Sequence, residues 1–290
     1  MKRKNGKLST LLLFLIFIGS ILAIFYPFLS NWMFEHRQED QFEVYEREAK
    51  IADHAAEFQE AQAYNQELAS GKVELQDPFA ETYSDADEAR YDSLLQLNHT
   101  DIMAYLEIPV ISVKIPVYHG TETETLEKGV GHLKATSLPV GGESTHTVLT
   151  GHTGLSNARI FTDLSRMEEG DFFFLTVYDR KLAYQVDQIK VVEPTDTSDL
   201  TIRAGEDLCT LVTCTPYGIN SHRLLVRGMR TEYVENMEQE IIPLDSGETQ
   251  WMVEYRRSIV IAMITLAGIL LLYGILDRVF RRKKERKKDG

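Results

Sequence analysis

The pattern of apolar and polar positions divides the chain into three kinds of segment. The first kind is a continuous apolar run, and there are two. Leu8 to Phe34 holds no charged residue and is rich in Leu, Ile and Phe, and Ser258 to Leu276 is a second uncharged run that contains Leu270, Leu271 and Leu272. Each is long enough to cross about 30 Å of hydrocarbon as a helix. A cleaved signal peptide is the alternative for the first run. No Ala-x-Ala-like site stands near its end, so a retained anchor is expected.

The second kind has helical spacing. From Glu35 to about Ser70 the chain is acidic, rich in Ala and Gln, and free of Pro and Gly. Phe42, Tyr45, Ala49, Ala52 and Ala56 recur at helical intervals, as do Phe58, Ala61 and Tyr64. This predicts one or two helices that raise the next domain off the membrane, closed by Gly71. A further short helix is expected over about 87–97.

The third kind is short and β-branched. Residues 104–110 and 113–118, broken by Pro109 and Pro116, read as edge strands. Further strands are expected at 146–150, 171–178, 181–193, 208–214 and 222–230, with a short helix over 160–167. Strands of this length and spacing predict a closed or nearly closed β-barrel, a mainly β fold. The resulting division is a basic N-terminus 1–7, a transmembrane anchor 8–34, a helical stalk and irregular acidic segment 35–100, a barrel 101–230, a polar return stalk 231–257, a second transmembrane helix 258–276 and a basic tail 277–290.

Charge sharpens this division. The 290 residues carry a formal −13, yet residues 1–7 carry +4 and residues 277–290 carry +5, so the stretch between them carries −22. A middle so acidic repels nucleic acid and anionic lipid, which argues against nucleic-acid binding. Both basic flanks belong on the cytoplasmic side of a membrane, which places everything between the two spans outside. With two cysteines in all, there is no disulfide framework.

Those two cysteines are the first candidates for chemistry. Thr210-Leu211-Val212-Thr213-Cys214 runs into Thr215-Pro216-Tyr217-Gly218, so Cys214 closes a strand and opens onto a loop, where a reactive thiol belongs. Cys209 lies five positions earlier and faces the other side of the strand, roughly 16 Å away and beyond disulfide reach. It fits a buried structural cysteine. A thiol nucleophile needs a base or a cation. His152, in Thr150-Gly151-His152-Thr153-Gly154, ends a strand between glycines that leave the imidazole accessible; His132 is its rival. Arg223 opens the strand that returns beside Cys214, across the loop mouth, where a guanidinium would donate to a developing oxyanion. Arg227 lies on the same face, about 13 Å further along. Taken singly, a structural histidine and a solvated strand arginine are the commoner cases.

The run from Thr210 to Asn220, followed by Arg223, resembles the signature of the sortases. It is most similar to the class C, pilin-polymerising sortases, which share the pattern T-L-x-T-C-T-P-Y-G-x-N-x-x-R. Thr150-Gly151-His152 matches the histidine motif of that family. Tyr105-Leu106-Glu107-Ile108-Pro109 and Pro116-Val117-Tyr118-His119-Gly120 resemble its opening strands, and Asp77-Pro78-Phe79 resembles the lid motif of class C members. The resemblance covers roughly residues 75–230.

It implies an eight-stranded sortase β-barrel with short helices, an N-terminal helical stalk and two terminal transmembrane helices. It also implies a membrane-anchored cysteine transpeptidase outside a Gram-positive cell. Cys214 would attack the Thr–Gly carbonyl of an LPXTG-like sorting signal, with His152 as general acid and base and Arg223 stabilising the oxyanion. The acyl group would pass to a pilin lysine, with no metal or cofactor, while Asp77, Pro78 and Phe79 would form a lid that restrains the thiol. The other readings are a sortase that anchors proteins to peptidoglycan, a thiol hydrolase and a non-enzymatic surface scaffold.

Overall fold

A computed structural model describes residues 4–71, 88–97, 100–154 and 159–244, together with helical residues between 252 and 275. Side chains at 4–13, 16, 17 and 23 are outside that description. The chain divides into two units, Met1–Asp245 and Ser246–Gly290.

The first unit is built on eight strands: β1 (Ile102–Ile108), β2 (Val113–His119), β3 (Val130–His132), β4 (Thr145–Thr150), β5 (Phe172–Val177), β6 (Arg180–Val192), β7 (Asp207–Thr215) and β8 (His222–Thr231). They close into a barrel in the order β1-β2-β3-β4-β7-β8-β6-β5. The β2–β3 and β4–β7 pairs are parallel and the others antiparallel. Phe173, Leu175, Tyr184, Cys209, Leu211 and Val226 are among the residues of the main core. A second, smaller cluster of Leu133, Val148, Leu200, Val212 and Leu225 lies apart from it. Along β7 the two clusters alternate, Leu211 in the first and Val212 in the second, as successive side chains on a strand must.

Closure corrects the expectation of edge strands: β1 pairs with β2 and β5, and β2 with β1 and β3. The prolines are accommodated in other ways. Pro109 starts a 3-10 turn, Pro109–Ile111, after β1 has ended. Pro116 lies just before the residues of β2 that pair with β3, so its missing N–H costs no bond there. The helix expected over 160–167 is a single 3-10 turn, Leu164–Arg166.

Helix α1 runs unbroken from Lys4 to Ala49 and α2 from Ala55 to Ser70. Both dock on the barrel. Tyr45, Ala49, Phe58 and Ala61 are buried and belong to the main core cluster. A buried aromatic of this kind contributes about 1.5–3 kcal/mol. Tyr45 Oη accepts from the Tyr178 amide at 2.8 Å. Asn65, also buried, is bound twice to Leu138, accepting from its amide at 2.7 Å and donating to its carbonyl at 3.0 Å. The short helices α3 (Glu88–Ser93) and α4 (Thr123–Lys128) complete the cover. The segment expected to be a return stalk also lies on the barrel as far as Leu244, whose amide donates to Val110 at 2.8 Å.

In the second unit, residues 255–265 are helical. Among the described residues no helix is long and apolar enough to cross a membrane. The run 8–34 lies within α1, whose described apolar residues include Leu22, Phe25, Tyr26 and Trp32, all exposed.

Candidate active site

Three neighbouring strands carry the site. In the parallel β4–β7 pair Thr150 stands opposite Val212, and the pairing extends one step further through Gly151 N donating to Val212 O at 3.0 Å. Thr213 Oγ1 ties back to Gly151 O at 2.7 Å. His152 lies two residues past Thr150, and Cys214 two past Val212, so the histidine follows β4 at the level of the cysteine. In the antiparallel β7–β8 pair, Cys214 stands directly opposite Arg223. The fold therefore sets Cys214 opposite Arg223 on β7 and β8 and leaves His152 two residues past the end of the neighbouring β4.

Local geometry fixes each member. The His152 carbonyl accepts from Phe161 N at 3.0 Å, which ties the residue to the 160–161 segment. A Cβ on Gly151 would come within 2.7 Å of the Phe161 ring, so only glycine allows that close approach. Gly154 has φ +82°, and a Cβ there would meet the Tyr217 ring at 3.2 Å. The histidine loop thus lies against the β7–β8 loop. Cys214 is partly exposed. Arg223 is largely buried and its Nη1 donates to the carbonyls of Asn220 at 3.3 Å and His222 at 3.2 Å. Its guanidinium is thereby held beside the loop that follows the thiol. His152 is half-buried, and that burial lowers its pKa, with the Glu127 carboxylate opposing.

The rejected candidates lie elsewhere. Cys209 is fully buried in the main core, and burial pushes its thiol well above the usual range. His132 is buried and enclosed by Tyr91 Oη at 2.9 Å and Ser137 O at 2.9 Å, with its pKa lowered by burial to about 4. Arg227 forms a two-pronged pair with Asp187, the shortest contact being 2.6 Å. Asp77, Pro78 and Phe79 lie outside the described residues. Sequence reasoning missed two neighbours of the site. Glu127 is on α4, 25 residues before His152, and nothing local links them. Tyr217 was visible only as part of the loop sequence. Among the described residues no three His, Cys, Asp or Glu side chains converge as metal ligands.

Comparison with known proteins agrees with this arrangement. The sortase domain model matches residues 106–231. The chain is 30% identical over 152 residues to sortase D of Bacillus subtilis, covering 51% of this chain and 74% of that one. The chain belongs to the sortase family, whose members are cysteine transpeptidases acting on surface-protein precursors with sorting signals.

Within that family, solved structures similar to this chain include class C sortases. Sortase C-1 from Actinomyces oris shares 45% identity at a TM-score of 0.59, covering 62% of this chain and all of that one (100%). Sortase C from Streptococcus pneumoniae shares 45% identity at 0.61, covering 67% and 97%.

Proposed function

We propose that this chain is a membrane-anchored transpeptidase that joins pilin subunits, with Cys214 as nucleophile, His152 as proton shuttle and Arg223 as oxyanion donor. The observation that supports the reading is Cys214 directly opposite Arg223 on β7 and β8, with His152 just past the end of β4, which pairs with β7. In the resting enzyme burial favours the neutral imidazole, which takes the proton of the Cys214 thiol. The thiolate attacks the Thr–Gly carbonyl of an LPXTG-like signal, and the tetrahedral oxyanion forms beside Arg223. The C–N bond breaks, the imidazolium gives its proton to the departing amine, and a thioester remains on Cys214. The imidazole then takes a proton from the incoming lysine ammonium. The amine attacks the thioester, the C–S bond breaks, the nitrogen gives its second proton to the departing Cys214 sulfur, and the imidazolium returns its proton to solvent.

The choice of pilin over peptidoglycan rests on the class C relatives, of which the Streptococcus pneumoniae enzyme is described with pilin substrate specificity. Anchoring at both ends rests on the uncharged runs 8–34 and 258–276 with their basic flanks, and on the exposed apolar side chains along the first part of α1. Both termini are then cytoplasmic and the barrel is outside the cell. The test is to incubate the protein with a sorting peptide, with and without a lysine-bearing pilin. A pilin–peptide isopeptide product, identified by mass spectrometry, supports the reading. Release of free acid alone, whether or not pilin is present, would make the protein a thiol hydrolase. No cleavage at all would leave it a scaffold.

A further inference from the structure

Strand directions fix which end of the barrel each terminal segment joins. β7 runs toward Cys214 and Thr215, so its last residues mark the reactive end. β4 is parallel to β7, β3 antiparallel to β4, β2 parallel to β3 and β1 antiparallel to β2. β1 therefore ends and β2 begins at the reactive end, and the turn Pro109–Ile111 between them lies there too.

Helix α1 arrives at that end. Phe34 lines a cavity with Ile111, Val113 and Ile160. Glu35, next to it, holds Arg159 at 2.7 Å, two residues before Phe161, whose amide donates to the His152 carbonyl. α1 then runs toward the opposite end, where Tyr45 Oη accepts from Tyr178 N just past the end of β5. The C-terminal segment makes the return journey. β8 leads away from the reactive end to Thr231, Glu238 meets Lys181 near the start of β6 at 2.6 Å, and Leu244 N donates to Val110 O at 2.8 Å. Both segments thus join the barrel at its reactive end.

The side chains of α1 show where lipid contact would stop. Those described from Phe14 to Tyr26 are all exposed, on every side of the helix. From Pro27 onward one side is covered: Pro27, Ser30, Asn31, Phe34 and Gln38 recur at helical spacing and are buried or half-buried. Counted from Leu8, about 20 residues of helix cross the hydrocarbon, which ends it near Pro27. Cover by protein begins where the hydrocarbon stops. Tyr26 and Trp32 stay exposed on either side of that boundary, where aromatic rings favour a membrane interface.

We propose that the reactive end of the barrel rests on the outer headgroup layer of the bilayer, with the surface around Ile111, Arg159 and Ser165 as its lipid-contact face. The proposal rests on the anchoring reading above. It needs no attraction between an acidic domain and lipid, because one unbroken helix, Lys4–Ala49, imposes the seating. Cys214 then works close to the membrane plane, and an acyl donor must present its signal there.

The test uses the full chain in phosphatidylcholine vesicles, first floated on a density gradient. In a Cys214→Ala background, a fluorophore is attached through Ser165→Cys, on the turn after Phe161, or through Ala204→Cys, on the turn that leads into β7 at the opposite end. Both positions are exposed, and Cys209 is buried and escapes labelling. The length of β7 separates the two ends by roughly 20 Å. Lipids with a nitroxide on the headgroup quench at shorter range than that. The label at 165 should lose most of its emission and the label at 204 little. Equal loss at both, greater loss at 204 or no loss at either would overturn the proposal. Trp32 gives a reading without a label once Trp251→Phe has removed the other tryptophan. Headgroup nitroxides should quench it more than nitroxides at the acyl-chain ends, and the reverse order would also overturn the seating. If the protein does not float with the vesicles, the anchoring reading fails and this proposal with it. If it floats and the label at 165 is unquenched, only the seating fails.

Discussion

The same three strands carry a second set of similar residues further from the rim, and the two sets behave differently. At the rim are His152, Cys214 and Arg223. Further along, β4 carries His146, β7 carries Thr210, and β8 carries Arg227 opposite Thr210. In this inner set every member is tightly held. His146 contacts Thr210 Oγ1 at 2.7 Å and Thr201 O at 2.9 Å, and burial lowers its pKa to about 4. Arg227 is clamped on Asp187. At the rim, Cys214 is open to solvent in part and His152 is half-buried. A histidine and an arginine across β4 and β8 do not by themselves make a reactive site. What distinguishes the rim is that its cysteine and histidine are partly exposed, together with a thiol in place of a hydroxyl; the two arginines are both largely buried.

The largest expected effect tests the thiol. Cys214→Ala should abolish acyl-enzyme formation with a sorting peptide, whereas Cys209→Ala should leave it largely intact, as read by mass spectrometry of the protein. A methanethiosulfonate reagent should likewise modify Cys214 and spare Cys209, and Asp77→Ala should speed that modification if the segment restrains the thiol. An adduct on Cys209 would break the distinction between core and rim.

Next in size is the loss from the flanking residues. His152→Ala and Arg223→Ala should each lower turnover roughly 10²–10⁴-fold. Arg227→Met should instead leave Asp187 without its partner and lower stability by about 1–3 kcal/mol, with turnover of the folded protein much less affected. Melting curves and kinetics of the two arginine variants separate these outcomes. Equal kinetic losses at 223 and 227 would show that the inner set takes part in the chemistry.

The smallest effect concerns pH. His132 and His146 have folded pKa values lowered to about 4, against an ordinary 6.5. Between pH 6.5 and 4 the unfolded chain binds protons at these sites that the folded chain refuses. Stability should therefore fall as pH drops through that window and be insensitive to these two groups above it. Thermal melts from pH 8 to 4 should show the decline, and His146→Gln should flatten it. A decline of the same slope in that variant would mean that His146 is not protected by burial.

Much of this was legible in the sequence, and the gaps have physical causes. Cys214 could be placed at a strand end because a β-branched run stops at Pro216 and Gly218. The opposite face of Cys209 followed from strand parity alone. Strand β3 was missed because three residues flanked by Gly129 offer no alternation to read. The parallel contact of β4 with β7, which brings His152 beside Cys214, joins segments about 60 residues apart and leaves no local trace. The periodicity of Tyr45, Ala49, Phe58 and Ala61 was read correctly as helical. What those faces pack against was not, since an apolar stripe specifies burial without naming its partner. Pro109 and Pro116 suggest edge strands, but a closed barrel has no edge.

The hairpin of β7 and β8 has a bearing on how this enzyme can vary. Cys214 and Arg223 are set opposite each other by a ladder that continues from Thr215 and His222 down to Leu208 and Met229. The loop of residues 216–221 plays no part in that ladder. Its exposed tip, including Ile219, can lengthen, shorten or change its chemistry without shifting the register of the pair behind it. Only the backbone register is insulated in this way: the guanidinium of Arg223 still leans on the Asn220 carbonyl, so a descendant of this chain with a different loop would keep Cys214 opposite Arg223 while re-aiming the arginine side chain.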